Sequence, residues 1–220
     1  MKARVFIPAD SAALSVGADS LAHAFAAEAK KRALDVTIVR TGSRGLLFLD
    51  PLVEVEHAGR RIGYANVAAA DVVGLFDAHV LSGGAHALCI GPVDDHPLMK
   101  RQTRFTFARC GIVDPLSLDD YRAAGGFNGL ERAMALGAAA SVEEVIASGL
   151  RGRGGAGYPT GVKWRTVMGA EAQQKYVVCN ADEGDSGTFA DRMVMEGDPF
   201  LLIEGMMIAG FCARALSSAA

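Results

Sequence analysis

Cysteine is scarce in this sequence, and its spacing forms no motif. The 220 residues include four cysteines, Cys89, Cys110, Cys179 and Cys212, without a C-x-x-C pair. An iron–sulfur cluster needs three or four thiolates brought together, usually including a closely spaced pair, and metal sites require similar spacing. We therefore expect reduced, buried thiols that act as small hydrophobic residues, and no cluster or metal site within these residues.

The sequence also lacks a long hydrophobic run and an excess of charge of one sign. Its longest apolar stretch near the C-terminus, residues 206–212, is far shorter than the roughly 20 residues of a transmembrane helix. Near the N-terminus, Pro8 and Asp10 interrupt the apolar residues before a signal peptide could form. A net charge of -3 argues against nucleic acid as the main partner. We expect a cytoplasmic protein without membrane insertion or nucleic-acid binding.

Residues 1–81 have the pattern of a small α/β domain. Periodicity predicts a strand at 4–8, a helix at 19–32, strands at 35–40 and 46–49, a hairpin formed by 52–57 and 61–66, and a helix at 71–81. The order β-α-β followed by β-β-α resembles that of a thioredoxin-like domain. Because no cysteine pair stands near the start of its first long helix, we expect a docking domain without redox chemistry.

The rest of the chain divides into a linker and a second domain. Residues 82–113 begin with glycine and small residues and show no periodicity, which predicts a linker. The second domain is expected at 114–220. It includes a helix at 141–150, capped by Ser141, and a buried helix that begins at Pro199.

Residues 150–164, LRGRGGAGYPTGVKW, contain five glycines within ten residues, at Gly152, Gly154, Gly155, Gly157 and Gly161. Glycine inside a helix or strand costs about 0.5–1 kcal/mol relative to alanine, so this density indicates close approach of the backbone to a ligand. Successive N–H groups, together with the cations Arg153 and Lys163, predict an anion-binding loop for a phosphate. Tyr158 offers a flat ring to a flat ligand.

Two familiar nucleotide motifs do not account for this loop. The G-x-G-x-x-G pattern requires a preceding strand, whereas a helix is predicted here, and Val162 separates Gly161 from Lys163 where a P-loop needs Gly-Lys. A flexible linker is the other alternative. Linkers are usually rich in serine and lack interleaved arginine, tyrosine, lysine and tryptophan, so the ligand loop is favoured.

A second cluster of polar residues follows an apolar run. Residues 176–179, YVVC, predict a buried strand, and Asn180, Asp182, Glu183 and Asp185 come directly after it. Ligands in open α/β sheets bind beyond the carboxyl ends of strands. An asparagine amide can both donate and accept, which suits the hydroxyls or the pyrimidine edge of a flavin. A solvated acidic turn is the alternative.

The glycine loop and YVVCNADEGDSGTFADR, residues 176–192, together resemble the FMN- and NADH-binding subunit of respiratory Complex I. Its soluble relatives are the diaphorase subunits of NAD-dependent hydrogenases and formate dehydrogenases. The resemblance extends from about residue 114 onward and implies that FMN takes hydride from NADH. It implies a cofactor-binding set of Gly152, Arg153, Gly154, Gly155, Ala156, Gly157, Tyr158, Lys163, Asn180, Asp182, Glu183 and Asp185.

Roles within this set also come from the resemblance. Asp182 and Glu183 belong to the flavin side. Asp185 faces the nicotinamide, at a position where most relatives have glutamate. No side chain of the chain is assigned to acid–base catalysis, because FMN carries the hydride transfer.

The predicted fold is therefore α/β, a thioredoxin-like N-terminal domain followed by the first part of the FMN-binding α/β domain of the Complex I flavoprotein. The GDSG form and the front domain without cluster cysteines resemble the diaphorase subunit of an NAD-dependent formate dehydrogenase. The implied partners are a molybdenum-containing catalytic subunit, a small [2Fe-2S] subunit and NADH. We expect the N-terminal portion of a longer subunit, whose [4Fe-4S] module lies beyond these residues.

Three alternatives remain beside the formate dehydrogenase assignment. The first is a non-catalytic docking or assembly fragment. The second and third are the equivalent subunits of NADH:quinone oxidoreductase and of an NAD-reducing hydrogenase. The fused front domain disfavours Complex I, and the absent cluster cysteines disfavour a hydrogenase.

Overall fold

The computed structural model describes residues 3–214, which divide into two compact units. Unit 1 contains the residues up to Tyr121 together with residues 187–199. Unit 2 contains residues 122–186 and the residues from Phe200 onward. The chain therefore leaves unit 1 and later returns to it. Between residues 3 and 214, no helix combines the length and the apolar character needed to cross a membrane.

Unit 1 is built on one five-stranded sheet. Its strands are β1 (Ala3–Pro8), β2 (Val36–Thr41), β3 (Val53–His57), β4 (Arg60–Tyr64) and β5 (Cys89–Pro92). The strand order is β2-β1-β3-β4-β5, with β1 and β2 parallel and the other pairs antiparallel. Val5 lies opposite Val55, and both are fully buried, which places the core beneath the centre of the sheet.

The helices of the described residues include the predicted helix of residues 19–32 and several that the sequence pattern did not predict. They are α1 (Ser11–Ser15), α2 (Ala18–Lys31), α3 (Val72–Asp77), α4 (Pro97–Lys100), α5 (Leu118–Ala123), α6 (Asn128–Leu136), α7 (Ala138–Ala147), α8 (Thr160–Gly169), α9 (Ala190–Gly197) and α10 (Pro199–Ala213). The predicted inner face of α2 is correct, because Leu21, Phe25 and Ala29 are buried against the sheet core. Phe25 also meets the ring of Phe76 on α3, with centroids 5.5 Å apart.

The α/β class is confirmed, and unit 1 shows the thioredoxin-like order β-α-β followed by β-β-α. The strand predicted at residues 46–49 is wrong, because Leu47–Leu49 forms a 3₁₀ turn. Leu46, immediately before it, packs into a second small core. The domain limits at 81 and 113 stay a prediction; within 82–113 the chain contributes β5, which pairs with β4.

Unit 2 is helical in its described residues and is held by tertiary capping. Glu204 of α10 is buried and accepts hydrogen bonds from the backbone N–H groups of Phe127 (2.7 Å) and Leu130 (3.0 Å), at the start of α6. Its carboxylate thus satisfies donors that a helix N-terminus leaves open. The predicted start of α7 at Ser141 is wrong: α7 begins at Ala138, and Ser141 Oγ donates to the Gly137 carbonyl oxygen inside the helix.

Candidate functional site

The glycine loop runs between the end of α7 and the start of α8. Its stem is closed by two backbone hydrogen bonds, from Gly152 N–H to the Tyr158 carbonyl oxygen (2.8 Å) and from Thr160 N–H to the Leu150 carbonyl oxygen (2.9 Å). The two sides of the loop are therefore tied together within the protein itself. The glycine segment forms an ordered turn that continues directly into α8, and its role in binding a phosphate stays a prediction.

The tip of the loop is open. Gly154 and Gly155 are exposed, and a Cβ at either position would meet no heavy atom within 4 Å. Gly157 has φ +51 and donates from its N–H to the Gly154 carbonyl oxygen at 3.0 Å. Exposed Ala156 completes this turn. A ligand can approach the tip backbone closely, as an anion-binding loop requires.

Two cations, Arg153 and Lys163, precede and follow this open tip along the chain. Arg153 and Lys163 are exposed, and neither forms an ion pair within residues 3–214. Lys163 lies in the first turn of α8, where the helix dipole adds partial positive charge. Since no carboxylate neutralises them, both charges are available to an anionic group. The donor set thus fits a phosphate.

Tyr158 stands at the exit of the loop, just before Pro159 and α8. Its side chain is 55% exposed. Its carbonyl oxygen is used in the loop stem, so the backbone is fixed while the ring remains accessible. This arrangement leaves an aromatic face at the edge of the open tip.

Two further residues of the loop were missing from the predicted binding set. Arg151 braces the loop, because its Nε donates to the Gly157 carbonyl oxygen at 2.6 Å. Gly161 is buried in the first turn of α8 and faces Ile146 of α7. In the sequence these residues are the first arginine of RGR and the fifth glycine of the loop. Only the structure shows that the arginine braces the loop and that the glycine packs against a helix.

The second predicted cluster, at residues 180–185, does not follow a buried strand as expected. Residues 176–179 form no strand, and Tyr176 and Val178 are 80% and 83% exposed. The prediction of a buried strand there is wrong, because a strand needs a partner ladder and every strand of residues 3–214 belongs to the sheet of unit 1. The apolar run is present without the sheet that would bury it.

The polar residues after this run lie on an exposed turn. Asn180, Asp182 and Asp185 are exposed, and Asn180 Oδ1 accepts a long hydrogen bond of 3.5 Å from the Asp182 N–H. Glu183 has φ +49, a conformation that costs about 1–3 kcal/mol in a residue other than glycine. Neither Asp182 nor Asp185 is part of an ion pair in the described chain. These carboxylates therefore face solvent rather than a cation.

Two of the four cysteines, Cys110 and Cys212, are buried. Burial raises the pKa of the Cys110 thiol to about 11, and burial also raises the pKa of the Cys212 thiol. The expectation that all four thiols are buried is wrong for Cys179, which is exposed, and Cys89 is half-buried. Among residues 3–214 no group of three histidine, cysteine, aspartate or glutamate side chains is placed to hold a metal ion.

The segment with both predicted clusters matches known proteins. Residues 145–218 match the family model described as the Nuo51 FMN-binding domain. The NADP-reducing hydrogenase subunit HndC of Solidesulfovibrio fructosivorans is 51% identical over 116 residues, which cover 53% of this chain and 24% of that protein. The F 2 subunit of the NADH-quinone oxidoreductase of Rhizobium meliloti is 46% identical over 105 residues, 47% of this chain and 25% of that protein.

Among solved structures, a thioredoxin-like [2Fe-2S] ferredoxin from Aquifex aeolicus aligns with 42% of this chain and 93% of its own, at 18% identity and a TM-score of 0.36. The chain spans about a quarter of the length of the hydrogenase and oxidoreductase relatives. The glycine loop and the 180–185 turn both lie within residues 145–218, the part of the chain that matches the model of the Nuo51 FMN-binding domain.

Proposed function

We propose that this chain binds FMN and NAD(H) as part of the flavoprotein subunit of an NAD(H)-dependent oxidoreductase. The observation that carries the proposal is the open tip at Gly154 and Gly155 between the unpaired cations Arg153 and Lys163. This arrangement lies within the segment that matches the Nuo51 FMN-binding domain. An anionic phosphate next to a planar ring system is the ligand that suits both the cations and Tyr158.

The glycine loop holds the FMN phosphate. The N–H groups of Gly154, Gly155 and Ala156 set its position, and Arg153 and Lys163 neutralise its charge. Gly152 and Gly157 use their own N–H groups inside the loop, and they hold its backbone in shape around the phosphate. Positive charge close to the flavin also favours the reduced, more negative form of the ring. Tyr158 packs its ring against one of the two flat ring systems.

The 180–185 turn meets the rest of the two ligands. Asn180 donates to and accepts from the ribityl hydroxyls or the pyrimidine edge, with Asp182 and Glu183 on the flavin side. Asp185 faces the nicotinamide, with a reach one methylene shorter than that of glutamate. When bound, FMN supplies hydride acceptance from NADH, and the protein's contribution is to hold the two rings in register.

The larger enzyme that we propose is a soluble, cytoplasmic NAD-dependent formate dehydrogenase, in which this chain belongs to the diaphorase subunit. The support is the GDSG sequence at residues 184–187 and a thioredoxin-like unit without a close cysteine pair. Its partners are a molybdenum-containing catalytic subunit and a small [2Fe-2S] subunit. A [4Fe-4S] cluster belongs to the later part of such a subunit. The corresponding subunits of NADH:quinone oxidoreductase and NAD-reducing hydrogenase are the nearest alternatives.

A docking role without catalysis is the second candidate. It is favoured by unit 1, whose cysteines Cys89 and Cys110 lie apart from the start of α1 and α2, and whose Cys110 thiol is buried. A thioredoxin-like unit of this kind has surfaces for assembly but no redox pair. In this candidate the chain joins a complex and binds flavin weakly or not at all.

FMN titration of the full chain separates the two candidates. Flavin fluorescence quenching should show saturable binding, lost in Lys163→Ala and in Gly155→Val. Because a side chain at 155 meets no protein atom, the valine variant should remain folded while it blocks ligand approach. Lys30→Ala, a change at an exposed lysine of unit 1, is the matched control. Absence of saturable binding to the wild-type chain would reject the FMN function for this chain and leave the docking role.

If FMN binds, NADH oxidation with an artificial electron acceptor is the second measurement. Activity that depends on added FMN and falls in Asp185→Asn would support the nicotinamide-side assignment. Equal activity of the wild-type chain and Asp185→Asn would contradict that assignment without affecting FMN binding.

A further inference from the structure

Gly161 is a glycine of the loop motif whose neighbourhood is filled by another helix. An ideal Cβ at this position would lie 2.5 Å from Ile146 Cγ1 and 2.6 Å from the Ile146 backbone nitrogen. By contrast, a Cβ added at Gly154 or Gly155 would meet no heavy atom within 4 Å. Gly161 therefore allows the backbones of α7 and α8 to approach each other closely.

The same pair of helices is also joined at the surface. Arg165 of α8 forms a two-pronged ion pair with Glu143 of α7, with Nε to Oε1 at 3.1 Å. Since Gly161 and Arg165 are four residues apart, they lie on one face of α8. Contact through the glycine and the ion pair thus fixes α8 against α7 along about one helical turn.

This packing controls the loop because the loop connects the two helices. Leu150 lies shortly after the end of α7, Thr160 begins α8, and the hydrogen bond of 2.9 Å between them closes the stem. A displacement of α8 therefore opens the stem. Lys163, which lies in the first turn of α8, would move with it.

We propose that Gly161 is a positioning residue for the anion-binding loop. Because it has no side chain, α8 packs directly on the α7 backbone, and this packing fixes the stem hydrogen bonds and the position of Lys163. The proposal rests on the FMN function proposed above for its ligand, but its structural part concerns the chain alone. Gly161 touches no ligand in this assignment. Its effect is transmitted through the stem hydrogen bonds and the position of Lys163.

Gly161→Ala tests the proposal. A methyl group 2.6 Å from the Ile146 nitrogen must move to an ordinary contact of at least 3.4 Å, and it cannot do so by rotating a side chain. A shift of this size, close to 1 Å, is enough to disturb a bound geometry severely. We expect the Kd for FMN to rise at least about tenfold, with an unchanged number of sites. A variant that only loses folded protein would instead show fewer sites at the same Kd.

Gly169→Ala is the matched control, because Gly169 lies in the same helix and its Cβ would meet nothing within 4 Å. Amide hydrogen exchange gives a readout that needs no FMN. The amides of Gly152 and Thr160 should lose protection in Gly161→Ala and keep it in Gly169→Ala. Unchanged FMN affinity together with unchanged protection of these two amides in Gly161→Ala would overturn the proposal.

Two outcomes would call for a different readout: no FMN binding by the wild-type chain, and failure of Gly161→Ala to fold. If the wild-type chain binds no FMN, the proposed function fails, and hydrogen exchange alone decides the role of Gly161. If Gly161→Ala does not fold, Arg165→Gln loosens the same helix pair without a steric clash. We then expect an increase in Kd of about twofold, within the range of an exposed ion pair, and unchanged affinity and exchange in Arg165→Gln would reject the coupling.

Discussion

Arg151 donates from Nε to the carbonyl oxygen of Gly157 across the glycine loop, at 2.6 Å. This side chain ties the start of the loop to its end. The guanidinium thus acts as a brace, whereas Arg153, two residues later, has no ion-pair partner among the described residues and remains available to a ligand. Two arginines of one short motif therefore have separate tasks.

Arg151→Ala should loosen the loop without removing a ligand contact. A charged donor to a carbonyl contributes about 1.5–3 kcal/mol, so its loss allows the turn at Gly157 to sample other conformations. We expect weaker FMN binding and faster amide exchange at Gly157. Arg153→Ala is the comparison, because it should weaken FMN binding while leaving the exchange of Gly157 unchanged. Equal exchange of Gly157 in both variants would contradict the division of tasks.

The carboxyl groups of the buried Asp10 and the half-buried Asp50 make the stability of unit 1 depend on pH. Asp10 caps α1, where its Oδ1 accepts from the Ala12 N–H at 3.1 Å, and Asp10 Oδ2 and Asp50 Oδ2 have no hydrogen-bond partner within residues 3–214. Burial, and then the charge of Asp10, raises the pKa of Asp50 from 3.8 to about 7. Burial also raises the pKa of Asp10. The folded state therefore holds a proton that the unfolded chain releases at lower pH.

From this raised pKa we expect the free energy of unfolding to decrease as pH rises from about 4 to about 7, and then to level off. Asp50→Asn should show a smaller decrease over the same interval. Urea unfolding at a series of pH values measures the difference. Asp35→Asn, at an exposed position of the same unit, should behave as wild type. A wild-type curve that rises across this interval, with no difference in Asp50→Asn, would contradict the assignment.

The returning segment of unit 1 is anchored by a buried ion pair. Asp198 is 1% exposed and accepts from Arg109 Nε at 2.8 Å, and the Arg109 guanidinium lies 4.6 Å from the centre of the Tyr121 ring. Removing Arg109 takes a charged hydrogen-bond donor away from the buried Asp198 carboxylate. Arg109→Ala should therefore lower the free energy of unfolding by about 1.5–3 kcal/mol.

Arg60→Ala is the control for this prediction, because Arg60 and Asp95 form an exposed pair in the same unit. Its effect should stay below about 1 kcal/mol. Chemical unfolding of both variants gives the comparison. Similar losses in the two would show that the Arg109 pair is no more important than a surface contact.

Lys175 joins the ends of two helices in unit 2. Its ammonium donates to the carbonyl oxygens of Val167 (2.7 Å) and Met168 (3.0 Å) near the end of α8, and of Ala213 (3.3 Å) at the end of α10. Positive charge there also complements the helix dipoles. Lys175→Met should lower the stability of unit 2 by about 1.5–3 kcal/mol. Thermal unfolding followed by circular dichroism measures this, with Lys30→Met as a control.

Local patterns predicted those elements of unit 1 that follow a simple period and end at a clear turn, but they missed the short elements α1, β5 and α4. The alternation in residues 52–66 became the hairpin of β3 and β4, and the four-residue spacing of Leu21 and Phe25 became the inner face of α2. The short run at residues 46–49 misled the prediction. An apolar run of four residues fits a strand or a packed turn equally well.

Each error in unit 2 has its own physical cause. The YVVC run predicted a strand, but a strand exists only with a neighbour, and residues 3–214 offer no strand within unit 2. Ser141 looked like a helix cap, yet the alanines from Ala138 onward extend α7 toward the N-terminus and place the serine inside it. The tasks of Arg151 and Gly161 depend on contacts that no periodicity encodes.

The path of the chain through unit 1 has a consequence for synthesis. Residues 187–199 complete a unit whose other part ends at Tyr121, with Cys110 Sγ facing the Met193 carbonyl oxygen at 3.6 Å and Arg109 paired with Asp198. During synthesis, unit 1 cannot complete its folding at the time when its sheet has emerged from the ribosome. Its last segment is translated only after the glycine loop and the 180–185 turn. All residues of the candidate site are therefore synthesised before unit 1 can be complete.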